Sequence, residues 1–183
     1  ALGRLGLPDN LVQMVPAPPL RAKTERLMKL ADLVVVTGSQ NNVRAGYASG
    51  TPAIGVGAGN VVTIIDETAN IAAAAKKIAA SKTFDNATSC SSENSVIAVD
   101  AVYDEVVAAL ARVGGLLLNA TQVERLEQLH WHDGKMTTTR LAQDIDKVLG
   151  EMDMLDDAPA GTQFLVAPQS EIGPEHPMTG EKM

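Results

Sequence analysis

The only cysteine of this 183-residue chain, Cys90, lies in the polar stretch T-F-D-N-A-T-S-C-S-S-E-N-S, from Thr83 to Ser95. Two readings of that thiol are open. It can pack as a small apolar side chain, the usual condition of a free cysteine. It can also attack an electrophile once ionised, a role for which a lone cysteine in an intracellular enzyme is a candidate. A second stretch with chemical potential is Thr37-Gly38-Ser39, which follows an apolar run and opens a helical pattern. Ligands of open α/β sheets sit beyond the carboxyl ends of the strands, where unpaired N–H groups of a helix N-terminus suit a phosphate. The run T-G-S-Q-N-N departs from G-x-G-x-x-G, and an ordinary β–α turn favours the same residues.

Other candidates carry less. His130 and His132 are two residues apart, a spacing that does not place both on one helix face, and the chain holds three histidines and one cysteine in all. A solvated loop is therefore expected there, and no metal site. Glu151, Asp153, Asp156 and Asp157 lack the spacing of a calcium loop and read as a solvated acidic turn. None of His130, His132 and His176 lies near a nucleophile-elbow motif, so no Ser-His-Asp set is expected.

Composition bounds the partners. Apolar residues make up 45% of the chain, enough for a globular core. Fifteen basic against 22 acidic residues give a net charge of −7, which disfavours nucleic acid or an anionic membrane as the main partner. A single cysteine forms no internal disulfide, which fits a reducing, cytoplasmic compartment. No apolar run approaches the ~20 residues that span a bilayer, and no secretory leader is visible. The chain starts at Ala1 in what reads as the end of a helix and stops at Met183 after a polar loop, so an internal piece of a longer protein is expected.

The elements that must position these residues alternate. Leu11–Val15 reads as a short strand before the Pro16–Pro19 breaker, and Thr24 as the cap of a helix to about Lys29. Leu33–Val36 is a continuous apolar run, expected to be a strand buried on both faces of a parallel sheet. A helix follows over residues 41–49, with Val43, Ala45, Tyr47 and Ala48 suited to one packed face. Strands are expected at Ala53–Val56 and Val61–Ile65, with Gly55, Gly57 and Gly59 allowing a close approach between or beside them. Asp66 or Thr68 caps a long helix to about Ser81, whose alanine-rich face requires a close neighbour. Further strands are expected at Ser95–Val99, Leu116–Leu118 and Phe164–Ala167, and helices at 103–113, 121–129 and 139–149. This order is that of an α/β fold with parallel, right-handed crossovers.

Several segments together resemble one family. T-G-S after a strand, P-A-I-G-V-G-A-G-N, I-D-E-T-A, K-T-F-D-N followed four residues later by Cys90, and S-E-N-S-V-I-A-V-D are similar to the CoA-acylating aldehyde dehydrogenases. The likeness includes the aldehyde dehydrogenase half of bifunctional aldehyde–alcohol dehydrogenases and the acylating sulfoacetaldehyde dehydrogenases. It covers most of residues 1–118 and returns at Glu181. It implies the second half of a Rossmann-like dinucleotide-binding domain over 1–57 and the first part of an α/β catalytic domain over 58–183.

The resemblance further implies that Cys90 is the nucleophile, forming a thiohemiacetal and then a thioester, with the Cys90 and Ser91 N–H groups as candidate oxyanion donors. It places Thr37, Gly38 and Ser39 near the phosphates of NAD or NADP and Glu181 near the nicotinamide ribose. It implies an aldehyde and coenzyme A as substrates and a homo-oligomer for the full-length protein. Hydrolytic relatives carry a general-base glutamate where this chain has Gly55 or Val56, so transfer of the thioester to CoA is implied over hydrolysis. The alternative expectation is a catalytically inert truncated fragment, or a structural and interaction module.

Overall fold

The computed structural model describes residues 2–57, 59–132, 135–137, 142–173 and 176–179. The chain forms two compact units, Ala1–Ala58 and Gly59–Met183. Both are α/β.

In the first unit a short 3-10 turn, Leu2–Leu5, precedes α1 (Arg21–Leu30), β1 (Val34–Thr37), α2 (Gln40–Tyr47) and β2 (Ala53–Val56). Strands β1 and β2 pair in parallel, Val34 opposite Ala53 and Thr37 opposite Val56, so α2 is the crossover between them. Val43 and Gly46 are the buried residues of α2. A Cβ at Gly46 would lie 2.8 Å from Val36 Cγ2, so this helix can approach β1 only with glycine there. Gly55 of β2 and Gly57 just after it act the same way. A Cβ at Gly55 would lie 2.6 Å from Val43 Cγ1, and one at Gly57 would lie 2.5 Å from Gln40 Nε2.

Four expectations for this unit are corrected. Residues 11–15 form no strand. An extended run needs a neighbour to bond its backbone, and none pairs with it among the described residues. Helix α1 begins at Arg21 with Leu20 at its cap position, so Thr24 is interior and not the cap; an Arg21–Glu25 pair at 2.9 Å supports its first turns. Strand β1 is buried on one face only: Val34 packs inward, whereas Val35 is 66% exposed. Ile54 and Val56 of β2 are exposed as well, because α2 covers the opposite face. Tyr47 and Ala48, expected on the packed face of α2, are exposed.

The second unit contains β3 (Val61–Ile65), α3 (Ile71–Lys82), β4 (Glu93–Ala98), α4 (Tyr103–Arg112), β5 (Gly115–Leu117), α5 (Ala120–His130), β6 (Trp131–His132), β7 (Lys135–Met136), α6 (Ile145–Glu151) and β8 (Phe164–Val166). The pairs β3–β4 and β5–β8 are parallel, and β6–β7 is a short antiparallel pair. Its larger core joins Ile65, the buried face of α3 (Ile71, Ala75, Ile78, Ala79), that of α4 (Val106, Ala109, Leu110) and Phe164. Small side chains on both helices let them lie close, as the alanine pattern requires. A second cluster, Leu118, Leu149, Met152 and Met154, holds α6 and the turn after it.

Here too the structure moves some boundaries. Helix α3 starts at Ile71 and is capped by Asn70, whose side chain accepts from the Ala73 N–H at 3.0 Å. Asp66 is occupied otherwise: Oδ1 accepts from the Thr68 hydroxyl at 2.6 Å and the Thr68 N–H at 3.0 Å. Helix α6 starts at Ile145 with Asp144 as cap, six residues later than expected; residues 139–141 lie outside the described residues. The H-W-H run is no solvated loop. His130 ends α5 in a buried position and Trp131–His132 is a strand. The acidic turn is partly anchored: Asp153 pairs with Arg125, and Met152 and Met154 alternate with its acids toward the core.

The two bonds from Thr68, the hydroxyl first, hold the Asp66 carboxyl below its ordinary value. A depressed carboxylate stabilises the fold above its unfolded pKa, and that contribution fades as pH falls through the folded value. Thr68→Val is expected to move the Asp66 titration upward, with a loss of stability at neutral pH that shrinks on acidification. Carboxyl-carbon NMR titration and acid unfolding check both parts; an unmoved Asp66 titration contradicts the assignment.

Candidate active site

Cys90 sits on the link between α3 and β4. Helix α3 closes at Thr83, whose N–H and hydroxyl both bond the Ala79 carbonyl, at 2.9 and 2.8 Å. The chain then enters a tight turn, Phe84–Ala87, in which Asp85, Asn86 and Ala87 all have positive φ, at 51°, 51° and 61°. Three consecutive non-glycine residues in the left-handed region are strained, although Asp and Asn tolerate it better than other types. The turn is held by Thr88, whose N–H and hydroxyl both donate to the Asp85 carbonyl.

The thiol residue itself is exposed. Its loop is closed by the Ser92 N–H donating to the Ser89 carbonyl at 3.0 Å, and by a Ser89–Ser91 hydroxyl bond of 2.9 Å. Cys90 is thus presented at the surface of a short polar loop between two elements anchored in the core. The backbone N–H groups of Cys90 and Ser91 make no hydrogen bond among the described residues. Ser92 is 1% exposed, and its hydroxyl has no partner among the described residues; the same holds for Glu93 Oε2.

Strand β4 begins with a bulge. Val61 pairs with Glu93 but Val62 with Ser95, so Asn94 is the extra residue. Asn94 Oδ1 accepts from the Lys82 ammonium at 3.1 Å, tying the end of α3 to the start of β4 beneath the loop. A cavity of about 800 Å³ opens in this unit. Its lining includes Asn60, Lys82, Asn86, Glu93 and Asn94, from segments that flank the Cys90 loop, together with apolar side chains of β4, α4 and β8. Cys90 is not one of its walls.

One more segment reaches the loop and is itself bonded to a distant turn. A Cβ at Gly59 would lie 3.6 Å from the Cys90 carbonyl oxygen. The Asn60 side chain donates to the Thr179 carbonyl at 2.7 Å. The Gly59–Asn60 dipeptide therefore meets the Cys90 loop through Gly59 and the turn at 176–179 through Asn60. Reasoning from sequence missed Asn60, the left-handed run and the Asn94 bulge. The D-N pair before Ala87 was the only local signal for any of them.

In the first unit, Thr37, Gly38 and Ser39 form one turn. Thr37 ends β1, Gly38 has φ +109°, and the Ser39 hydroxyl caps α2 by accepting from the Asn42 N–H at 3.3 Å. The first N–H groups of α2 point out of the helix beyond the carboxyl end of β1. Such a turn suits a phosphate, and φ +109° keeps a side chain out of the approach. Glu181 lies outside the described residues. Among the described residues no group of three His, Cys, Asp or Glu side chains is placed to hold a metal ion, and no helix is long and apolar enough to cross a membrane.

The model of the aldehyde dehydrogenase family matches residues 1–118. The chain is 50% identical over 181 residues to the sulfoacetaldehyde dehydrogenase (acylating) of Cupriavidus necator, a match that covers 98% of this chain and 36% of that protein. An acetylating aldehyde dehydrogenase from Geobacillus thermoglucosidasius superposes with a TM-score of 0.87 at 34% identity, over 98% of this chain and 40% of that one. Propionaldehyde dehydrogenase of Rhodopseudomonas palustris, solved with bound propionyl-CoA, superposes with a TM-score of 0.79 at 29% identity, over 96% of this chain and 38% of that one. The chain thus spans well under half the length of these relatives.

The left-handed turn yields a test of local strain. Ala87→Val puts a β-branched side chain at φ +61° and is expected to cost about 1–2 kcal/mol. Ala87→Gly is expected to hold stability or raise it. Denaturant unfolding of the two variants checks this; equal destabilisation by both contradicts the left-handed turn.

Proposed function

The chain belongs to the aldehyde dehydrogenase family, and from that premise we propose that it carries the nucleophile of a CoA-acylating aldehyde oxidoreductase. The observation that supports this most is the exposed Cys90 on a polar loop whose flanking elements are fixed in the core. On this reading residues 58–183 are part of the catalytic domain and residues 1–57 part of the dinucleotide-binding domain, in keeping with the two compact units.

The Cys90 thiolate attacks the aldehyde carbon, forming a C–S bond and an alkoxide. The Cys90 and Ser91 N–H groups, free of other partners among the described residues, donate to that oxygen. The carbonyl re-forms as hydride leaves the same carbon, giving a thioester on Cys90. A bound nicotinamide nucleotide supplies the hydride acceptor. The Thr37-Gly38-Ser39 turn fits its phosphate through the N-terminal amides of α2, and Glu181 is assigned to its ribose.

The CoA thiolate then attacks the thioester, the C–S bond to Cys90 breaks, and the cysteine leaves as thiolate. Neither Gly55 nor Val56 offers a carboxylate to activate water, so the thioester persists for the thiol. The buried hydroxyl of Ser92 and the Glu93 carboxylate oxygen, both without partners among the described residues, support a polar ligand beside the loop. The substrate is a short aldehyde of the sulfoacetaldehyde, acetaldehyde or propionaldehyde type. The single thiol supports a cytoplasmic setting. The exposed Val35, Ile54 and Val56 support association into a homo-oligomer.

Removing the thiol decides the mechanism. Cys90→Ala is expected to abolish CoA-dependent NAD(P)H formation from these aldehydes, a loss of at least about a thousandfold, with an unchanged melting temperature. Retained turnover in the variant overturns the assignment.

A further inference from the structure

Gly59 and Asn60 are consecutive, and they touch two different parts of the site. Gly59 lies against the Cys90 carbonyl, where a Cβ would make an ordinary 3.6 Å contact. Asn60 donates its amide to the Thr179 carbonyl at 2.7 Å, across 119 residues of chain. The turn it holds is closed on itself. The Thr179 N–H donates to the His176 carbonyl at 3.0 Å, the Met178 N–H to His176 Nδ1 at 3.2 Å, and the Gly173 N–H to the Thr179 hydroxyl at 3.1 Å. Met178 is buried and pins the turn from within, while Asn60 holds it from the exposed side.

An exposed side chain that fixes a distant backbone carbonyl contributes little to the core, since Asn60 buries no apolar surface. What it fixes is geometry. Resting on the reading of Cys90 as nucleophile, we propose that Asn60 is a positioning residue. It ties the 176–179 turn, which ends two residues before Glu181 in the sequence, to the dipeptide whose Gly59 lies against the Cys90 carbonyl. The dipeptide ahead of β3 then sets two distances at once, one to the thiol's own backbone and one to the turn. The bonds within the turn give it a shape; buried Met178 holds it against the core, and the bond from Asn60 ties it to the segment that passes the Cys90 carbonyl. Asparagine suits the role because its short side chain presents a donor to a carbonyl with few rotamers to restrict.

The isosteric Asn60→Asp variant replaces the donor with an oxygen facing the Thr179 carbonyl and leaves the shape of the site intact. In hydrogen exchange read by mass spectrometry, amides of 173–179 are expected to exchange about five- to tenfold faster, the loss of one hydrogen bond. The melting temperature and the rate of Cys90 alkylation by iodoacetamide are expected to stay near those of the parent chain. The KM for the nicotinamide nucleotide is expected to rise by more than kcat falls, a split that a general loss of fold would not produce. Asn60→Gln, which keeps the donor, is expected to restore part of the protection.

Unchanged exchange at 173–179 overturns the clamp. So does a variant in which melting temperature, alkylation and kcat fall together. A parent chain without nucleotide-dependent turnover would count against the proposed function by itself; the exchange and alkylation data still decide the clamp.

Discussion

The site depends on how closely α3 lies against its neighbours. Its buried face is Ile71, Ala75, Ile78 and Ala79, and it meets Val106, Ala109 and Leu110 of α4 with Ile65 of β3. Interiors pack to near-crystalline density, so small side chains at Ala75 and Ala79 leave the helix one depth at which it fits. That depth sets where Lys82 and Thr83 end, and so where the following link must begin. β4 is fixed in turn by its parallel pairing with β3. Between two immobile ends the chain has ten residues, 83–92, in which to reverse direction and bring a thiol to the surface.

Those ten residues meet the demand with local bonds and local strain. Three left-handed residues make the reversal tight, and Thr88 closes it onto the Asp85 carbonyl. The serines on either side of Cys90 bond each other, which leaves the Cys90 and Ser91 amides free among the described residues. Strained backbone is kept where the surrounding structure over-determines it, and here α3 and β4 do so. The Lys82–Asn94 bond across the base of the loop joins the same two elements. A polar loop with a rigid base is what a nucleophile needs: access for the substrate, with little freedom to lose on binding it.

Much of this frame could be read from the residues. The strands at 34–37, 53–56, 61–65 and 164–166 are short apolar runs between turn residues, and the alanine pattern of α3 announces a close neighbour. What failed to be legible depends on partners distant in the sequence. Leu11–Val15 has strand composition but no strand to bond it among the described residues. That Asn70 caps α3 in place of the expected Asp66 or Thr68 turns on which side chain is already engaged, and Asp66 is held by Thr68. Burial of β1 on one face follows from where α2 crosses, which composition does not reveal. Cys90 stood out by residue type. Asn60 did not, because nothing near it in the chain indicates a carbonyl 119 residues away. The three alternating glycines were visible, but their separate tasks were not: Gly55 and Gly57 admit side chains of the α2 segment, and Gly59 passes the Cys90 carbonyl.

The central claim is that Cys90 carries the acyl group. Acyl transfer from CoA to the thiol runs the last step in reverse and needs no nucleotide, so it isolates this one residue from everything else the reaction requires. Incubation with acetyl-CoA or propionyl-CoA followed by intact-mass and peptide mass spectrometry reads it directly. A single acyl adduct mapped to Cys90 and discharged by added CoA is expected. An unmodified chain, or an adduct on a serine or lysine that persists in the presence of CoA, would contradict it.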